Sequence, residues 1–476
     1  MHTPRIAYCS PVNPAPSGIS DYSEELLPYL GQYAEITLFV EDGLKPSNPQ
    51  LAQHLEVMPL RRLPRELRRK PYDAIVYHIG NSPAHAGIWR AAQRMPGVVV
   101  LHDLVLHHFM LWFAANVEHD VQKYVRRMRD RYGEAGDHMA QLMIRSRFTD
   151  AAFDFACNEE VIAAARGLIA HSRYVADQVA AQRPDLPLTV VPMGVPLSPP
   201  VDRATARARL GLPAEGVLLA SFGHINAWKR VEPALRALAE LRAEGRDLRY
   251  VLVGSVSPNY NLAALIARLG LHDVVTATGY VSHQAFADYV AAADICLNLR
   301  FPTGGETSAS LLRLLGAARP TLVSAVGSFA ELPPGTAAQV DPGSAEGEVI
   351  LHYCRLLLDR PELAAQLGAQ ARAFVARAHT LDAAAQGYGR FLARLYGWPA
   401  LQRIHAAPLW NPTLPPADPA PVTLAATPVL SEQNPPPAPV DPLVASIAAA
   451  VAEIGLRESD STILATIAAR IAELRG

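Results

Sequence analysis

The sequence predicts an α/β protein built from two doubly wound parallel-sheet domains, with a helical tail carried on a proline-rich linker. Three observations lead there. Short β-branched runs alternate with helical patterns through the first half of the chain. The same alternation restarts after Pro199–Pro200. The composition then changes near Ala406, and twelve of the forty prolines fall between Ala406 and Pro442. A chain of 476 residues, half of them hydrophobic, is too long for one ordinary core and long enough for two.

In the first half, Arg5–Ser10, Glu35–Val40, Ala74–His78, Val98–His102 and Gly167–His171 read as buried strands, and Asp21–Leu30 reads as a helix. Between Leu104 and Arg166 lies a helical stretch rich in Met, Phe and Arg. It exceeds a normal crossover, so residues 104–166 are expected to be an insertion. These elements define a first domain, residues 1–198. Beyond it, Val217–Phe222, Arg249–Val253, Val274–Ala277, Ile295–Leu299 and Thr321–Ser324 read as strands, with helices such as Glu232–Ala243 between them. They define a second domain, residues 199–380. Leu381–Tyr396 reads as a closing helix, in a segment 381–405 expected to pack back on the first domain.

Residues 406–442 read as an extended, semi-rigid linker. In residues 443–476, Val444, Ile447, Val451 and Ile454 share one helical stripe, and Ile463, Ile467, Ile471 and Leu474 share another. Two such stripes cannot form a domain alone. Self-association through them is the expectation, with docking on the catalytic body or on a partner as alternatives.

Composition narrows the partners. The 43 basic and 45 acidic residues leave a net charge of −2, which argues against nucleic acid. Cys9, Cys157, Cys296 and Cys354 are scattered singly, with neither metal-binding nor disulfide spacing. The N-terminus does not read as a signal peptide, and no apolar run reaches the roughly 18 residues needed to cross a bilayer. A cytoplasmic protein is expected. Arg61, Arg62, Arg65, Arg68, Arg69 and Lys70 form a basic patch suited to an anionic inner-membrane face, although a solvated surface is the simpler reading.

Ligands of such domains bind outside the carboxyl ends of the strands. Five segments fall there. Pro16-Ser17-Gly18-Ile19 follows the first strand, and its glycine lets backbone approach a ligand. His78-Ile79-Gly80-Asn81 and His102-Asp103 follow two others; an imidazole beside a carboxylate can bind hydroxyls or move protons. Gly223-His224 through Lys229 offers cations to a phosphate. Arg300 through Ser310 carries Gly304-Gly305-Glu306-Thr307-Ser308 into a helix starting near Ser308. Paired glycines there leave N–H groups for an anion, reinforced by the helix dipole, and Glu306 can accept from a sugar or ribose hydroxyl. This is not a Walker loop, since Gly-Lys-Ser/Thr is absent from it. Taken singly, each segment also reads as an ordinary turn or solvated loop.

In order and spacing, these segments resemble the retaining glycosyltransferases of family 4, from about Arg5 to about Gly397. Pro16-Ser17-Gly18-Ile19 resembles the family's N-terminal glycine loop, and His102 its histidine after a buried strand. Val191-Pro192-Met193-Gly194-Val195 resembles its Pro-Asn-Gly-Val segment, with Met193 in place of Asn. Gly223 through Lys229 resembles the diphosphate clamp, and Thr278-Gly279-Tyr280-Val281 the segment facing the donor base. Gly305 through Arg313, then Pro320, resembles the Glu-x7-Glu region. Two residues depart from the pattern: His224 stands where the family usually has Arg, and Arg313 where it has the second Glu.

The resemblance implies the GT-B fold, two Rossmann-like domains facing a cleft, and sugar transfer from a nucleotide-sugar donor with retention. It implies catalytic roles for His102, Lys229 and Glu306. Donor contacts are implied at Gly18, Gly223, His224, Lys229, Gly254, Tyr280, Val281, Arg300, Gly304, Gly305, Glu306, Thr307 and Ser308. A glycan or lipid-linked acceptor would meet His78, Asn81 and Asp103. No metal and no cofactor are expected. A GT-B epimerase, an inverting transferase or a non-catalytic GT-B scaffold are the rival readings, the last favoured by Arg313.

Overall fold

The computed structural model describes residues 3–412 apart from 70, 148, 198, 200 and 400. The linker beyond residue 412 and the 443–476 stripes therefore lie outside the described residues.

The first domain is a seven-stranded parallel sheet of β1 (Arg5–Cys9), β2 (Glu35–Val40), β3 (Glu56–Pro59), β4 (Ala74–Ile79), β5 (Val98–Leu101), β6 (Gly167–Ala170) and β7 (Leu188–Val190), in the order β3-β2-β1-β4-β5-β6-β7. The second is a six-stranded parallel sheet of β8 (Val217–Phe222), β9 (Leu248–Val253), β10 (Val275–Ala277), β11 (Ile295–Asn298), β12 (Thr321–Ser324) and β13 (Ala338–Val340), in the order β10-β9-β8-β11-β12-β13. In each sheet the strand order reverses beside the first strand, between β1 and β4 and between β8 and β11. That reversal opens a crevice at the carboxyl ends. Gly18 follows β1, Gly223 follows β8, and Arg300 follows β11, so the topology gathers the expected segments at the two crevices.

The central strands are largely apolar and buried, as β5 and β11 illustrate. The edge strands β3, β7 and β13 were not expected. Each has only three or four residues and a single neighbour, so it carries no long buried run.

Three boundaries differ from expectation. The first helix begins at Gly18 rather than Asp21, because Ser17 is extended and its side chain accepts the Ile19 N–H, capping the helix earlier. The 104–166 stretch divides into His107–Asn116, Val121–Met143 and Glu159–Ala164, and the second of these bends at Gly133 (φ 64°, ψ −146°). Its own small core contains Tyr124, Met128, Met139 and Met143. The first residues assigned to the linker are docked. Leu409 N–H donates to the Pro28 carbonyl (3.1 Å), and Trp410 is buried and stacks on His54. Leu409 and Trp410 are apolar residues in a polar, Pro-rich stretch, and burial against the first domain removes them from water.

The helix Leu381–Tyr396 lies on the helix Gly18–Leu30. The Tyr388 and Tyr22 hydroxyls are 3.2 Å apart, and Ala384, Tyr388 and Leu392 share a core with Tyr22 and Leu26. No helix among the described residues is long and apolar enough to cross a membrane.

Candidate active site

The first wall of the crevice is built from histidines at strand ends. His78 is the penultimate residue of β4 and His102 follows β5; His78 Nδ1 and His102 Nε2 are 2.9 Å apart. His171 follows β6 and donates from Nδ1 to the Val191 carbonyl (2.8 Å), while His85 Nδ1 donates to the His78 carbonyl (2.9 Å). A carbonyl only accepts, so His85 and His171 carry their proton on Nδ1 and present Nε2 as an acceptor. Burial holds all four imidazoles neutral: His78 and His102 lie well below the ordinary histidine value, and His85 and His171 are pushed down to about 4. The Tyr22 ring meets both His102 and His171 edge-on at 5.4 Å.

The His102-Asp103 pair does not act as a unit. Neighbours in an extended chain point to opposite sides. Asp103 instead accepts the Asn81 N–H (2.7 Å), with burial raising its pKa and Asn81 and Arg300 opposing that rise. The Asn81 side chain is also committed, its Oδ1 accepting the Phe109 N–H (2.8 Å) in the first turn of the helix His107–Asn116. Asn81 thus seats a helix through its side-chain carbonyl oxygen. Gly18 faces open space: a Cβ there would meet nothing within 4 Å.

The second wall needs glycine for a packing reason. Gly254 has φ +148°, and a Cβ on it would fall 2.0 Å from the Gly223 carbonyl oxygen. Gly223, at φ +93°, opens onto the Lys229 ammonium, which donates to the Phe222 carbonyl (3.2 Å). Burial, then the nearby Arg300, pushes the Lys229 pKa well down. His224 is exposed, with Nδ1 2.9 Å from Ser255 Oγ. Tyr280 follows Gly279 and is 82% exposed, while Val281 packs beside Phe222 and Phe286.

Arg300 is bound to Glu306 and lies over the Phe329 ring, and burial lowers its pKa to about 10 against the pull of Asp103. The other Glu306 oxygen accepts from Thr303 Oγ1 (3.1 Å), which in turn accepts the Gly305 N–H (3.0 Å). The expected anion cradle therefore loses one donor, because Gly305 is spent within its own loop. Ser308 caps the helix Ala309–Gly316 by accepting the Leu311 N–H, and Thr307 lies just before it.

The two walls touch. Val105 N–H donates to the Gly304 carbonyl (2.9 Å), and a Cβ on Gly305 would fall 2.6 Å from Leu104 Cβ. The insertion contributes directly: Trp228 Nε1 donates to Asp150 Oδ1 (3.2 Å), and its ring meets His108 and Phe153. Glu331 of the second domain accepts the Arg173 and Tyr174 N–H groups at the start of the helix Arg173–Gln182. Sequence reasoning missed Trp228, Glu331, His85 and His171. Only His171 carried a usable signal, since it ends a strand as His78 and His102 do. Among the described residues, no group of three or more His, Cys, Asp or Glu is placed to hold a metal ion.

Residues 216–359, most of the second domain, match the family model described as Glycosyl transferases group 1. Alpha-D-kanosaminyltransferase of Streptomyces kanamyceticus is 32% identical over 196 residues, covering 41% of this chain and 48% of the relative. D-inositol 3-phosphate glycosyltransferase of Streptomyces scabiei is 28% identical over 396 residues, covering 75% of this chain and 82% of the relative. The first matches thus span about half the length of the curated relatives. Among solved structures, sucrose-phosphate synthase from Thermosynechococcus elongatus superposes with a TM-score of 0.61 at 18% identity, covering 83% of this chain and 99% of that one. Anabaena HepE, solved in complex with UDP, gives 0.58 at 17% identity, covering 82% and 100%. This chain and these structures share the GT-B arrangement of two facing parallel-sheet domains.

Proposed function

We propose that this protein is a glycosyltransferase that moves a sugar from a nucleotide-sugar donor to a glycan or other hydroxyl acceptor, with retention of anomeric configuration. The observation carrying the reading is the enclosed Lys229 ammonium beside Arg300, at the glycine-lined carboxyl end of the second sheet. Among the described residues Lys229 has no carboxylate within ion-pair distance, and its one hydrogen bond goes to a carbonyl. A half-buried cation without a counter-charge is costly, and a diphosphate relieves that cost. As the sugar–phosphate bond breaks, negative charge grows on the leaving diphosphate and its attraction to Lys229 and Arg300 strengthens. That differential is what accelerates the step.

The neutral histidines suit the opposite wall. Uncharged imidazoles hydrogen-bond sugar hydroxyls without competing for the diphosphate, and we assign His102 to the transferred sugar. Glu306, held by Arg300 and Thr303, keeps lone pairs for a hydroxyl while fixing the Arg300 guanidinium. Contact between the two walls excludes water from the donor.

Incubating the purified protein with a nucleotide-sugar panel, then reading donor consumption and product anomer by NMR, tests the proposal. Turnover with an unchanged anomer supports it; inversion overturns retention. A protein that stabilises on a donor but turns none over would be a scaffold instead. The exposed Arg61, Arg62, Arg65, Arg68 and Arg69 support peripheral contact with an anionic lipid surface as a secondary part of this proposal. Vesicle co-sedimentation with and without anionic lipid tests that part.

A further inference from the structure

Arg313 stands at a position where the sequence led us to expect a carboxylate, and its partner lies in the other domain. Its guanidinium is paired with Glu25, on the helix Gly18–Leu30. One turn earlier on the same face, Asp21 is 3.4 Å from His283 Nε2, at the start of the helix His283–Ala292. Asn13 holds Asp21 in place, its Nδ2 donating at 2.9 Å. Two acidic residues of the first domain thus meet two basic residues of the second. All four are part-buried, so solvent screens these pairs less than exposed ones.

The elements joined are those that carry the ligand loops. The helix Gly18–Leu30 begins at Gly18 itself. Arg313 lies on the helix Ala309–Gly316, whose cap, Ser308, ends the Gly304–Ser308 loop. A shift between these helices would separate the Gly18 turn from the Gly-Gly-Glu-Thr-Ser loop. We propose that Arg313 is a positioning residue: with His283 it latches the helix carrying Gly18 to the second domain, and so aligns the two glycine-containing halves of the donor site. Arg313 then acts through Glu25 and not on the donor. This rests on the glycosyltransferase reading for its kinetic consequence, but not for its structural one.

The test uses the full chain in three forms: Arg313→Glu, Glu25→Arg, and both together. Two readouts are taken, the radius of gyration of the free protein by small-angle X-ray scattering and the donor KM and kcat. The single variants place like charges face to face. Each should expand the free protein and raise donor KM at least fivefold, with kcat changing less. The double variant restores opposite charges in swapped positions and should return both readouts to within about twofold of the parent. Single variants with an unchanged radius of gyration would overturn the latch, whatever the activity. A double variant as impaired as Arg313→Glu would also overturn it, because a residue that contacts the donor directly is not rescued by a charge on Glu25's position. If no nucleotide sugar is turned over by any form, the glycosyltransferase reading fails while the scattering still decides the latch.

Discussion

His78 Nδ1 lies 2.9 Å from His102 Nε2, and neither ring is charged in the folded protein. With His85 and His171 they make a buried cluster of neutral imidazoles at the carboxyl ends of adjoining strands.

This cluster makes stability fall in acid. Unfolded histidine titrates near 6.5, whereas His85 and His171 are pushed down to about 4. Between those values the unfolded chain binds more protons, so stability is lost as pH falls below about 6.5. A single such histidine contributes on the order of 1–2 kcal/mol of that loss by about pH 5. Urea unfolding at pH 7 and pH 5 should show the loss, and His171→Gln should flatten the pH slope. An unchanged slope in that variant would contradict the neutral cluster.

Lys229 carries opposite consequences for stability and activity. Lys229→Met removes a desolvated ammonium, so the melting temperature should hold or rise. Turnover should fall at least tenfold and, by analogy with loss of one oxyanion donor, by roughly 10²–10³. A variant that melts earlier and retains turnover would refute the diphosphate assignment.

Gly254 and Gly305 should differ when changed to alanine. Gly254→Ala drives a Cβ against the Gly223 carbonyl at an unfavourable φ, both within the second domain. A loss of about 2 kcal/mol or more is expected in chemical denaturation. Gly305→Ala meets Leu104 across the crevice. Because Gly305 also sits at φ +78°, its alanine should cost stability as Gly254→Ala does, and the clash across the crevice should in addition weaken donor binding.

His283 titrates within the latch, facing Asp21 and Glu25 of one helix and Arg313 of another. Asp21 raises its pKa, burial and Arg313 oppose, and Glu25 adds to the rise. The pair is therefore intact below about 6.5 and is lost as pH climbs through the raised value. Donor KM should increase over that upper range, and His283→Gln should make KM independent of pH there. A parallel rise in the variant would exclude His283 as the titrating group.

Much of the site was legible because position along a strand is a one-dimensional property. Gly223, Lys229, Arg300 and the Gly304–Ser308 loop follow apolar β-runs, and a parallel sheet places whatever follows its strands at one end. The roles of individual atoms were not legible. Asn81 reads as a polar residue in a ligand loop, yet its side chain seats a helix 28 residues away. Gly305 reads as an N–H donor for a ligand, yet it donates to Thr303 Oγ1 within its own loop. Trp228 reads as part of a basic loop, yet its indole is spent on Asp150 of the insertion.

By itself the sequence determined the two parallel sheets, the order of the loops at their carboxyl ends and the cations that we propose face a diphosphate. These depend on hydrophobic period and on residues near in the chain. Only the tertiary structure decided that His102 pairs with His78 rather than with Asp103, that four histidines converge, and that Arg313 answers Glu25 across the domains. Such partners lie far apart in sequence, and burial and close packing, not local propensity, bring them within a few ångström of each other.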